Sequence, residues 1–112
     1  MHTFHFEALS LSHEVIRALV AGKVVERIRQ GSPALAEQLT DAASSVPANL
    51  GEGRRRVGRD RIQRFRIADG SAYETKVHLH TALAWGWIGE REVATSLELV
   101  DRLCAMTWRL TH

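Results

Sequence analysis

Residues that break helices gather at three places in the chain, Gly31-Ser32-Pro33, Gly51 to Gly58 and Gly86 to Gly89. Between them, apolar side chains recur at spacings of three and four, the mark of amphipathic helices joined by short turns. No alternating stretch bounded by hairpin turns competes with that reading. The expected fold is all-α, an antiparallel up-down-up-down four-helix bundle. A chain of 112 residues holds one such domain over 1–112, with 1–9 as a short leader whose Phe4, Phe6 and Leu9 are available to pack on it.

The first predicted helix starts from a cap at Ser10 or Ser12 and runs to about Gln30, with one apolar row through Leu11, Val15, Ala18, Gly22 and Val25 and a second through Ile16, Val20, Val24 and Ile28. Ser32 and Pro33 suit the cap and first turn of the second helix, whose stripe is Leu35, Leu39, Ala42 and Val46. Pro47 has no amide hydrogen and crowds the carbonyl of Ala43, so a kink or restart is expected there, followed by an end near Glu52-Gly53 with glycine in the left-handed conformation. The third helix starts near Gly58 to Asp60 and ends near Trp85-Gly86. Asp60 and Gln63 have capping-box spacing, and Arg64 lies one turn beyond Asp60. Ile62, Phe65, Ala72, Leu79 and Leu83 form its apolar face, but Asp69 and Lys76 fall on the same side and need partners.

The fourth helix opens with Glu90 and Glu92 at its positive end and carries two rows, Val93-Leu97-Val100-Cys104 and Leu99-Leu103-Met106-Leu110. Together they span about 200° of the helical wheel, more than one core readily covers. A second copy of the chain is the simplest cover, which makes Leu99, Leu103, Met106 and Leu110 the candidate oligomer interface.

Charge is concentrated. Residues 54–66 hold seven of the fifteen basic residues and one acid, while the rest of the chain carries eight basic residues against twelve acids. Arg54, Arg55, Arg56, Arg59, Arg61 and Arg64 are the candidate nucleic-acid contacts, because the guanidinium fork suits phosphate. Interchain ion pairs or a plain solvated surface would use the same residues. The glycines at 53 and 58 have P-loop spacing, yet Arg59-Asp60 stands where lysine and a hydroxyl residue are required, so an interhelical loop is expected.

Nothing in the sequence assembles a reaction centre. His78 and His80 point about 200° apart on a helix, and Glu74 with His78 one turn on reads as a simple pair. Cys104 stands alone, which excludes an intrachain disulfide, and it has no evident activating base. No metal, cofactor or enzymatic activity is expected. Trp85 and Trp87 read as plugs beside a turn, and Gly70-Ser71-Ala72 as a close approach of helices. No apolar run reaches membrane-spanning length and the start lacks a secretory plan, so a cytoplasmic protein is expected.

Against this reading stand Gln38-Leu39, Ala42-Ala43, Ser45-Val46-Pro47, Asn49-Leu50 and Glu52-Gly53, then Phe65-Arg66-Ile67-Ala68, Gly70-Ser71, Ala72-Tyr73-Glu74 and Leu79. In that order and spacing the chain resembles the bacterial four-helix-bundle proteins encoded within intervening sequences of 23S rRNA genes, over about residues 6 to 110. The resemblance implies a ring, commonly a homopentamer. The fold is also similar to the accessory variability determinant of diversity-generating retroelements, a basic pentamer that works with nucleic acid, with a reverse transcriptase as protein partner. The chain departs from the family at Thr40-Asp41, where relatives often carry a basic pair, and around Ser10-Leu11-Ser12, where they often carry an aromatic residue.

Overall fold

Among the described residues the chain forms five helices where four are expected, because the first predicted helix breaks at Gly22-Lys23. The computed structural model describes the backbone of residues 2–112 and the side chains of residues 7–112. Its elements are α1 (His2–Ala21), α2 (Val24–Gly31), α3 (Pro33–Arg54), α4 (Gly58–Trp85) and α5 (Glu90–Arg109), and among the described residues all regular structure is α-helical. The cause of the extra break lies in tertiary packing. A Cβ on Gly22 would sit 3.1 Å from the carbonyl oxygen of Glu92, so glycine lets the start of α5 approach. Lys23 then takes a left-handed conformation with φ 53°. The turn redirects α2 onto α3, burying Val24 and Ile28, and Arg27 forms an ion pair with Glu92.

Helix α1 begins at His2, so residues 2–9 belong to it and are not a leader. Ser12 is buried inside the helix, where its hydroxyl donates to the Leu9 carbonyl at 2.6 Å, and neither Ser12 nor Ser10 is a cap. Leu9 does pack against the core, whereas Phe4 and Phe6 lie outside the described side chains.

In α3 the expected cap is present, with the Ser32 hydroxyl accepting from the Leu35 amide at 3.0 Å and Pro33 in the first turn. The helix does not restart at Pro47. Val46 and Leu50 are buried on either side of it, and tertiary burial holds the turn where local hydrogen bonding is lost. Nor does Gly53 end the helix in a left-handed turn. It is helical and buried, and a side chain there would run into the ring of Phe65.

The 28 residues of α4 span about 42 Å at helical rise, which accounts for the 42 Å long axis of the molecule. Its start has no side-chain cap from Val57, and Asp60 faces Arg56 at 3.8 Å instead of capping or reaching Arg64. Its end is closed by Gly86 at φ 78°, where the Gly86 amide donates to the Leu83 carbonyl and the Trp87 amide to the Ala82 carbonyl, both at 3.0 Å.

Helix α4 packs between α3 and α5, and α1 packs against the same two helices from the other side. Phe65, Leu39, Leu50, Leu79, Leu103, Val15 and Val93 fill the space between them. This arrangement corrects the expectation for α5. Flanked by α1 and α4, it buries Leu103 in the chain's own core with 1% exposure, which takes that residue out of the candidate interface. Leu99, Met106 and Leu110 are half-buried against that core. The two charges expected to need partners have them. The hydroxyl of Thr107 donates to Asp69 at 2.9 Å, and Lys76 pairs with Asp101 at 2.8 Å.

Close approach of α3 and α4 is made by Ser71, whose hydroxyl donates to that of Ser45 at 2.8 Å, and by buried Ala72. Gly70 takes no part, for it faces open space. Trp87 covers Gly31 at the end of α2, while Trp85 stacks on Trp87 with ring centres 5.4 Å apart and stays largely exposed.

Candidate nucleic-acid interface

The arginine-rich segment straddles the link from α3 to α4, and the fold sorts its members into different tasks. Arg61 is structural. Its Nε donates to the Gly53 carbonyl at 3.1 Å and its Nη2 to the Arg54 carbonyl at 3.3 Å. Those oxygens lie in the last turn of α3, where the regular helical donors run out; the Gly53 carbonyl also accepts from the Arg56 amide at 3.2 Å. Arg64 turns toward α3 and donates to the Asn49 side-chain oxygen at 3.4 Å. Arg56 sits between Glu52 at 3.5 Å and Asp60 at 3.8 Å, so its charge is largely answered within the chain. Arg54 is half-buried at the end of α3.

Arg55 and Arg59 remain exposed, with no acidic partner among the described residues. Arg66, which the residue types alone did not single out, has the same character. Arg59 and Arg66 are seven residues apart, two turns along one side of α4, and with Asp60, Ile62 and Gln63 they line a concavity of about 450 Å³, in which the one carboxylate, Asp60, faces Arg56. The signal is in the spacing: on a helical wheel Arg59 and Arg66 fall on one side of the Ile62-Phe65 face, and Arg61 and Arg64 on the other.

Gly53 and Gly58 do not cradle phosphate. The first packs on Phe65 inside α3, and the second opens α4 at φ 60°. Another surface feature escaped the sequence reading: Ile16, Val20, Val25 and Ala43 line an apolar groove of about 270 Å³ where α1, α2 and α3 meet, with Val20 72% exposed.

The remaining candidates are quiet. His78 and Glu74 pair with each other at 3.1 Å. Among the described residues no three His, Cys, Asp or Glu gather in a metal-holding group, and no helix is long and apolar enough to cross a membrane. Cys104 is half-buried, and burial, with the charges of Asp69 and Asp101, pushes its thiol from the ordinary 9.0 up to about 11 against the pull of Lys76. The hydrogen bond and charge of Asp101 raise Lys76 above its ordinary 10.5.

Both shifts act in one direction. The unfolded thiol ionises before the folded one, and unfolded Lys76 loses its proton before folded Lys76, so each contribution is present at lower pH and lost as pH rises. Thermal melts are expected to show stability falling as pH climbs from 9.0 towards 11, with a smaller fall in Cys104→Ala. A flat profile over that window would contradict the burial of the thiol.

A family model described as 23S rRNA-intervening sequence protein matches residues 7–109. No curated protein and no solved structure matches the chain at a significant level.

Proposed function

The chain belongs to the 23S rRNA-intervening sequence protein family, and from that premise we propose that it is a non-catalytic, cytoplasmic, ring-forming protein that binds nucleic acid through its arginine-rich segment. The observation that carries the reading is the exposure of Arg55, Arg59 and Arg66 without acidic partners among the described residues. Exposed cations held near one another attract a polyanion, and each phosphate they neutralise releases condensed counterions. A non-catalytic role fits the one cysteine, whose thiol is held in its protonated, unreactive form. In this reading α1, α3, α4 and α5 act as the four helices of an up-down bundle, and a nucleic-acid-processing enzyme is the class of protein the ring assists.

Ring formation is supported by two unlike apolar surfaces, the groove of Ile16, Val20, Val25 and Ala43 on the α3 side of α1, and the half-buried Leu99, Met106 and Leu110 on α5. Unlike surfaces meet head to tail, which gives a ring where the rotation per subunit closes and an open filament where it does not, whereas a two-fold dimer needs one surface that matches itself. Such contacts flank α1 and leave the outer face of α4 uncovered.

The test is salt-dependent binding. For wild-type protein the logarithm of affinity is expected to fall against the logarithm of salt with a slope of about −0.7 per phosphate on single strands and −0.9 on duplex. Changing Arg55, Arg59 and Arg66 together to Gln is expected to flatten the slope by about 2 to 3 and leave the subunit number unchanged. The second reading, a pure assembly module, draws on the pairing of Arg56 with Glu52 and Asp60, which shows that part of the segment serves ion pairs. It requires the opposite result: the triple variant loses its assembly, and wild-type protein binds no nucleic acid at low salt.

A further inference from the structure

Resting on the nucleic-acid reading, we infer that the outer face of α4 is a track for single strands, on which Arg59 and Arg66 hold phosphates and Tyr73 stacks an unpaired base. Arg59, Arg66 and Tyr73 follow one another at intervals of seven residues, about 10.5 Å per step at helical rise, and seven residues bring a helix back to almost the same angle. All three are exposed, Tyr73 by 63%. Trp85 and Trp108 are also exposed, but each already stacks on a ring of its own chain, Trp87 and His112. Tyr73 has no ring partner among the described residues, and so keeps its face for a ligand.

The floor between the second cation and the aromatic ring is open. Gly70 lies one turn from Arg66 and one turn from Tyr73, on the same exposed side, and nothing stands within 4 Å of where its Cβ would be. A glycine inside an exposed helix costs about 1 kcal/mol relative to alanine and has no packing reason here. What its bare backbone provides is a flat place for a planar group beside Tyr73. Two concavities bracket it, the one at Arg59 and Arg66 and a second, of about 350 Å³, that begins at Tyr73 and Val77.

Phosphates first and a stacking ring afterwards is how single strands are held without sequence preference. A duplex gains from the arginines alone, because its bases already stack on each other and cannot reach the tyrosine face.

The experiment compares an oligothymidylate with a duplex of the same length, using the intact protein. Tyr73→Ala is expected to weaken single-strand binding between about 5-fold and 100-fold and leave duplex binding unchanged, with Tyr73→Phe close to wild type. Gly70→Leu is expected to give the same selective loss with a melting temperature no lower than wild type, since the added side chain meets nothing in the fold. If both variants bind single strands as well as wild type while the arginine triple variant does not, the track is overturned and the arginine reading stands. Absence of any binding by wild-type protein overturns both. A drop in assembly mass on Tyr73→Ala also overturns the track, because a second chain would then be what covers this face.

Discussion

Replacing Gly53 with valine is expected to remove about 2–3 kcal/mol of stability and lower the melting temperature by roughly 10 °C or more. Gly53 is buried in α3 directly beneath the ring of Phe65, itself only 2% exposed, and a Cβ there would overlap ring carbons. Neither partner can yield. The glycine is held by the helix, and the ring by a filled core whose density resists added methyl groups. Gly51→Ala, two residues earlier, is the control: nothing lies within 4 Å of that Cβ, so the better helix former is expected to gain about 0.5–1 kcal/mol. Phe65→Leu in the valine background should recover part of the loss, a coupling that a double-mutant cycle measures. Equal melting temperatures for Gly53→Val and Gly51→Ala would remove the contact from the account.

If the proposed ring forms, introducing glutamate at Val20 and Val25 together is expected to convert it to single chains of 12.6 kDa by light scattering. Val20 is the most exposed apolar residue of the groove beside α1, so a charge there meets little else in the isolated fold. Val25 in the same groove is half-buried against the core, so Val20→Glu alone, with a melt to show that the fold is kept, is the control. Loss of a central apolar contact costs about 2 kcal/mol or more per interface, some 30-fold in affinity, and an unpaired carboxylate adds to it. The loss repeats at every junction of a ring. A wild-type mass of 12.6 kDa at micromolar concentration would exclude the ring before any variant is made.

Features of the fold set by local chemistry were legible in advance. Ser32-Pro33 starts a helix and Gly86 ends one because the hydroxyl, the ring and the missing Cβ act within a few residues of themselves. The break at Gly22-Lys23 was not legible, since its cause is the approach of Glu92, seventy residues away in the chain. Gly53 misled for the same reason: its neighbours suggest a helix end, whereas its contact with Phe65 makes it a packing position. A helical wheel also measured the apolar width of α5 correctly yet could not say that two helices would flank it, so Leu103 looked available and is not. In the arginine segment, residue type showed where the positive charge is. Only the carbonyls of Gly53 and Arg54 reveal that Arg61 is committed to capping, whereas the helical wheel already sets Arg66 beside Arg59 and exposure adds that both stay open to solvent.

The clasp that Arg61 makes on the end of α3 also acts as an angular gauge. Three residues, 55–57, join α3 to α4, and a guanidinium in the first turn of α4 grips the carbonyls at the end of α3. The rotational phase of α4 is thereby fixed at its first turn, and Phe65, one turn further on, meets Gly53 only at that phase. One residue inserted between Arg61 and Phe65 would turn everything beyond it by about 100°. The exposed row of Arg66, Tyr73 and Val77 would swing towards a neighbouring helix, and half the core would swing out. The length of this connection therefore decides which side of a 42 Å helix the solvent sees.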